Sequence, residues 1–224
     1  DAAQLMKWSF PSVTIPGSGY LIVFASGINQ VDPAGNPHTN FQLNSTGEYL
    51  AIVRPDGTTI DDAFHPTYAE QFSDISYGPQ STDGALRFFG APTPGTANGT
   101  GLPGVVKDTN FDFDRGFYNV PFVVTITSAT PGATIRYTTD GLRPSETVGT
   151  IYAGPVAITN TSSLRAIAYL PGWLSTNVDT QTYIFANQVA RQRPNPPGWP
   201  TDWSNSGDPN SIHPADYEMD PRVV

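Results

Sequence analysis

Residues 122–141, FVVTITSATPGATIRYTTDG, place two alternating apolar runs on either side of a Pro-Gly turn, and the second run ends in an Asp-Gly turn. Phe122, Val124 and Ile126 share one face of the first run, with Val123, Thr125 and Thr127 on the other. Ala133, Ile135 and Tyr137 share a face of the second, opposite Thr134, Arg136 and Thr138. A period of two bounded by turn residues predicts half-buried antiparallel strands, and β-branched and aromatic side chains suit a pleated surface. The stretch therefore predicts a β-hairpin inside a small sandwich. Composition points the same way: 22 Pro and 21 Gly among 224 residues favour short strands and tight turns over long helices.

The same stretch, TITSATPGATIRYTTDGLRP, resembles the Fn3-like domain at the C-terminus of chitobiase and β-hexosaminidase. The resemblance runs on through GTIYAGPVAITNTSSLRAIAYLPGWLSTNVDTQTYIF and covers residues 111–186. It implies a non-catalytic β-sandwich over residues 107–186. Within it, Val156 to Ile158, Leu164 to Tyr169 and Thr180 to Phe185 read as strands, with Leu164, Ala166 and Ala168 on one face.

A second domain is expected over residues 1–98. Tyr20 to Ala25 (YLIVFA) reads as a buried strand and Tyr49 to Val53 as another. A Pro-Asp-Gly turn follows, with Thr58 to Ile60 returning as the hairpin partner. Ile75 to Tyr77 and Leu86 to Phe89 supply shorter strands. KWSFPSVTIPGSGYLIVFASG, HTNFQLNSTGEYLAIVRPDG, QFSDISYG and PTPGTAN, in that order, resemble the bacterial lamin-tail domain, which implies an immunoglobulin-like sandwich. That family opens with strands ahead of the Lys-Trp-x-Phe-Pro segment, and only residues 1–6 precede it here. The first domain is thus expected to lack its opening strands. An incomplete reading of a longer chain is the expected cause, ahead of cleavage or a strand donated by another chain.

Residues 99–106, GTGLPGVV, have a linker's composition. The Pro-rich tail, residues 187–224, is expected to be extended, because proline lacks the amide donor a ladder needs; that it leads into a further domain is implied by a resemblance at its end. Trp199 and Trp203 imply that it packs on something. HPADYEMDPRVV resembles the segment ahead of a CotH-like kinase domain in large planctomycete-type secreted proteins, which implies a middle piece of such a protein. The fold class expected is all-β: two tandem immunoglobulin-like sandwiches and an extended C-terminal segment.

The sequence offers little chemistry. Without cysteine there are no disulfides, thiolate metal sites or Cys nucleophile. A net charge of −9 makes nucleic acid a poor partner, and no apolar stretch is long enough for a membrane helix. His38, His65 and His213 stand outside any metal or zincin spacing, and His65 near Asp61 and Asp62 is the weak exception. Asp112 and Asp114, two apart in FDFD, are candidate ligands for Ca²⁺, beside the simpler arrangement of aromatics inward and acids to water. Trp173, Tyr118 and Tyr169 are candidates for stacking on a sugar ring, and core packing is their alternative; Tyr152 belongs with them. Asp56-Gly57, Asp83-Gly84 and Asp140-Gly141 read as turn chemistry. Asn44, Asn98 and Asn160 lie in N-x-Ser/Thr sequons. No G-x-S-x-G or phosphate loop occurs.

The function expected is that of a non-catalytic spacer and assembly region of a large secreted or cell-surface bacterial protein. Its expected partners are other domains of the same chain or neighbouring copies. The alternatives are a carbohydrate-binding accessory module, with polysaccharide as partner, and a fragment of a CotH-like kinase or glycoside hydrolase whose catalytic residues lie elsewhere.

Overall fold

The computed structural model describes residues 2–203, 213–220 and 222. The resemblance drawn for HPADYEMDPRVV falls in part on residues 221, 223 and 224, which lie outside that description. The described residues are all-β apart from one short helix, and the chain divides into two compact units, Asp1–Gly104 and Val105–Val224.

The first unit holds two separate ladders. β1 (Leu50–Val53) pairs antiparallel with β2 (Ile60–Phe64), with a register shift between Ile52 and Val53. β2 begins where the sequence expected the return strand to end. Thr58 and Thr59 are taken up by the turn, donating their amides to Asp56 Oδ1 at 2.8 Å each. β3 (Ser76–Pro79) pairs with β4 (Leu86–Phe89), and Phe88 is bridged in turn to Leu102. Tyr68, Phe88 and Phe89 are the buried large side chains of this unit.

The expected buried strand at Tyr20 to Ala25 is corrected by the structure. The segment is extended but joins no ladder. Only Phe24 and Ser26 form isolated bridges, to His38 and Gln42. Tyr20, Ile22 and Phe24 are exposed, while Leu21, Val23 and Ala25 are half-buried. The alternation is real, but pairing stops at Phe24, whose N–H donates to Pro37 O and whose carbonyl accepts Thr39 N–H, and one apolar face stays exposed.

The second unit is a closed sandwich. One sheet has five strands in the order β10 (Thr150–Ile151), β9 (Thr134–Thr138), β12 (Ser162–Tyr169), β13 (Asp179–Ile184) and β6 (Gly116–Phe117). Only the β13–β6 pair is parallel. The opposite layer is built on the run 122–128. β7 (Phe122–Val124) pairs with β11 (Val156–Ile158), and β8 (Ile126–Ser128) pairs with β5 (Thr109–Phe111). Thr125 interrupts the run, and Asp112 spans the interruption. Its amide donates to Thr125 O at 3.2 Å, and its carboxylate accepts Thr125 N–H at 2.7 Å.

The hairpin expected over residues 122–138 is therefore not a hairpin. The run 122–128 and β9 belong to different layers, and the turn at Pro131-Gly132 carries the chain across the core. The predicted inner faces are correct. Val124, Ile126 and Ile135 meet Leu164, Ala166, Ala168 and Tyr183 in one core cluster, and those last four side chains are 0% exposed. Facing runs on two layers bury both stripes, whereas a hairpin would have left them side by side on one sheet.

The helix α1 (Ala186–Val189) ends the sandwich. Its Gln188 donates to Thr159 O and accepts Thr161 N–H, both at 3.0 Å. Of the segment read as a linker, Leu102 is bridged to Phe88, while Val106 is buried in the second core and donates to Leu174 O. In the tail, Asp202 bridges Pro214, and Trp203 N–H and Ala215 N–H donate to His213 O and Thr201 O.

Candidate functional site

An apolar concavity lies in the first unit, beside side chains that no second strand covers. Four stretches form it: the N-terminal residues 5–10, the segment around Val23 and Ala25, residues 39–43, and β1 with its flanking residues. Asn40 Nδ2 donates to the carbonyl of Lys7 at 2.9 Å, and Trp8 Nε1 donates to Asn29 Oδ1 at 3.2 Å, which hold the N-terminal wall in place. Trp8 and Phe10 meet edge to face at 4.9 Å, and the Lys7 ammonium lies 5.4 Å from the Phe41 ring centre. The cavity measures about 540 Å³ and is lined by Met6, Phe10, Val23, Phe41, Ala51 and Val53 among others.

All four residues of β1 line it. Among the described residues the backbone of β1 is bonded to β2 alone, so its second edge opens on the groove. A strand edge beside an apolar trough can do one thing chemically: accept another extended segment, with main-chain bonds for affinity and alternate side chains filling the trough.

A polar network that the sequence did not single out lies close by. His38 Nδ1 is 2.9 Å from Ser26 Oγ, its Nε2 is 3.7 Å from Asp32 Oδ2, and its ring stacks on Phe24 at 4.9 Å. Serine, histidine and aspartate in sequence suggest hydrolysis, but the geometry is that of a brace. Ser26 Oγ also accepts Ile28 N–H at 3.4 Å, and Asp32 accepts the backbone and side chain of Asn36 at 2.8 and 2.9 Å. Those Asn36 bonds hold the Asp32 carboxyl below its usual range. At 3.7 Å the histidine and carboxylate are too far apart for a directing hydrogen bond. The spacing of Ser26, Asp32 and His38 carries no motif, so only the fold could show the cluster.

The other candidates are dispersed. Asp112 is occupied at the Thr125 interruption, and the Asp114 carbonyl accepts the Tyr118 hydroxyl at 2.7 Å. Both acids are exposed, while Phe111 is buried and Phe113 packs on Phe122 at 4.8 Å. Among the described residues, no three His, Asp or Glu side chains converge as a metal would need. His65 stands edge-on to Tyr49. The acids near it are engaged: Asp61 with Arg54 at 2.6 Å, and Asp62 with its neighbour's amide.

Tyr118 stacks on Phe122 at 4.3 Å and meets Tyr183 edge to face, so its ring packs with the core. Tyr152 packs there too, and its hydroxyl accepts Ile126 N–H. Tyr169 lies on the outer face of the five-stranded sheet, where its hydroxyl accepts Arg136 Nε–H at 3.3 Å. Trp173, 37% exposed, sits in the turn closed by its own amide on Leu170 O. The fold does not gather Trp173, Tyr118 and Tyr169 into one platform, since Tyr118 packs inward and Tyr169 faces outward.

The three Asp-Gly pairs are turns. Asp56, Asp83 and Asp140 each accept the amide two residues on, and Gly57, Gly84 and Gly141 have φ of 76°, 71° and 82°. Of the sequon asparagines, Asn44 is bonded within its own loop, and Asn98 accepts the Thr93 hydroxyl and donates to Pro79 O in β3.

With this geometry in hand, comparison with known families is informative for the second unit. A family model described as Fn3 associated matches residues 124–183, from the end of β7 into β13. The second unit is accordingly an Fn3-like, immunoglobulin-like domain. No curated protein and no solved structure gives a significant match to the chain.

Proposed function

We propose that this chain is a non-catalytic structural and interaction region of a larger exported bacterial protein, acting as a spacer and assembly module. The lamin-tail and chitobiase-type resemblances belong to this reading, as does a neighbouring CotH-like domain. The reading assigns no reaction to these residues. An Fn3-associated match at residues 124–183 fits an accessory module. The observation that carries the assembly role is the groove of the first unit, where an apolar trough and the open edge of β1 adjoin. The second unit supplies a closed, rigid body whose interior needs nothing from outside.

Hydrogen exchange tests the assembly role on the 224-residue chain, alone and with an extended peptide of alternating valine and threonine. Strand addition protects amides of residues 50–53 and leaves those of β12 unchanged. Exchange at residues 50–53 that is the same with and without peptide, at millimolar concentration, removes the groove from consideration.

A further inference from the structure

Two of the most exposed large side chains of the chain are held in place. Trp199 and Trp203 are 62% and 55% exposed, yet both stand against Tyr217 with ring centres 5.4 Å away. The Trp203 indole N–H donates to Tyr217 Oη at 3.2 Å, and Tyr217 O–H donates to Pro200 O at 2.9 Å. Backbone bonds from Tyr217 N–H to Pro194 O, and from Trp203 N–H to His213 O, tie the strands that carry them. Prolines 194, 196, 197 and 200 restrict the same stretch. The trio is therefore built before any ligand arrives.

We propose that Trp199, Trp203 and Tyr217 form an aromatic platform that receives a lysine or arginine side chain from an extended basic segment of a partner protein. Electrostatics chooses the occupant. Indole and phenol faces are negative and attract cations, tryptophan most strongly. Asp216 and Glu218 flank Tyr217, one residue away on each side and exposed. Their Cα atoms lie about 4 Å from that of Tyr217, less than a Debye length of about 8 Å. Asp202 and Asp220 add to the field on the same segment, Asp220 with Arg222 as its partner, and the exposed Arg191 and Arg193 at its start offset part of it. The ring planes of Trp199 and Trp203 meet that of Tyr217 at 68° and 81°. Both indoles stand steeply to Tyr217, so the three rings are not the flat row on which a sugar chain stacks best. This site is independent of the groove and stands or falls separately from it.

The test titrates the 224-residue chain with a hexapeptide of alternating lysine and arginine, reading the four tryptophan indole N–H resonances by NMR. A six-residue glutamine peptide and a soluble β-1,4-linked oligosaccharide run in parallel. The expected result is saturable binding of the basic peptide that moves the Trp199 and Trp203 signals and leaves Trp8 and Trp173 in place. Trp199→Ala and Trp203→Ala should each weaken it about fivefold, and Tyr217→Phe, which keeps the ring, should weaken it less. Unchanged core methyl signals show that the variants are folded. Three results overturn the proposal: no binding at millimolar peptide, basic-peptide binding that the double tryptophan variant retains in full, or indole shifts with the oligosaccharide instead.

Discussion

The two units are written in the same alternating apolar pattern and reach different interiors. In the second, every alternating run has a facing run on the opposite layer, and Val124, Ile158, Leu164 and Tyr183 are almost wholly removed from water. In the first, Tyr20, Ile22 and Phe24 alternate as regularly as Leu164, Ala166 and Ala168, yet they stay exposed, because the segment makes a single bridge at Phe24 and no opposite layer covers this face. Alternation specifies which face is apolar. Burial needs a second surface to meet it, and only the second unit supplies one throughout.

The sharpest way to break this contrast is to cut both sides of it. Leu164→Ala should destabilise the second unit by about 2–5 kcal/mol, as removal of a buried leucine does, whereas Ile22→Ala in the first should change stability by less than about 0.5 kcal/mol. Urea unfolding followed at Trp173 for the one and Trp8 for the other gives the comparison, and equal losses would contradict it.

The first unit does have tight places, and Gly47 is one. Its φ is 97°, and a side chain there would run into the carbonyl of Tyr68, one of the few buried rings of the unit. Gly47→Ala should cost about 1–3 kcal/mol through strain and overpacking. A variant as stable as the parent in thermal unfolding would mean the turn relaxes freely.

In the second unit Tyr183 donates from its fully covered hydroxyl to Phe113 O at 2.9 Å, and burial pushes its phenol well above the ordinary range. Tyr183→Phe removes the donor and keeps the packing. A loss of about 1 kcal/mol is expected, the net worth of one such bond.

The smallest effects are in the acid range, and they have opposite signs in the two units. Hydrogen bonds from the Thr59 side chain, and from the amides of Thr59 and Thr58, hold Asp56 at about 2. Its folded value lies below the unfolded one. Its contribution is present above about pH 4 and is lost as pH falls through about 2. Asp108 is raised, first by desolvation and then by the charge of Asp179. Its contribution is present below the unfolded value, about 3.9, and is lost as pH rises through the folded one. Carboxyl carbon titration by NMR should therefore place Asp56 below Asp108.

Local chemistry was legible in the sequence and partnership was not. The Asp-Gly turns, the inner face of β12 and the apolar stripes of 122–128 and 133–137 each follow from a few adjacent residues, and each stands as expected. The hairpin failed because a Pro-Gly turn between two runs fits a crossing between layers as well as a return within one. Nothing in either run says that β7 will meet β11, 34 residues on between Phe122 and Val156. The aromatic platform was half visible. Trp199 and Trp203 drew attention as a pair, but Tyr217 reaches them only through pairing across the tail. The groove of the first unit, with its walls at Phe41 and Val53, required coordinates.

The closure of the second sandwich also has a timetable. Thr109 is bonded to Asp179 and Phe113 to Tyr183, each pair 70 residues apart in the chain, and Tyr118 N–H donates to Ile184 O. The first strands of this unit thus wait for the last. At synthesis rates of about 5–20 residues per second, 70 residues take roughly 4–14 s. For that time Phe111, Val124 and Ile126 emerge from the ribosome without the strand that covers them. The shortest nascent chain able to shut this core has Phe185 already outside the exit tunnel, and any earlier pause leaves apolar strands exposed to chaperones or to other chains.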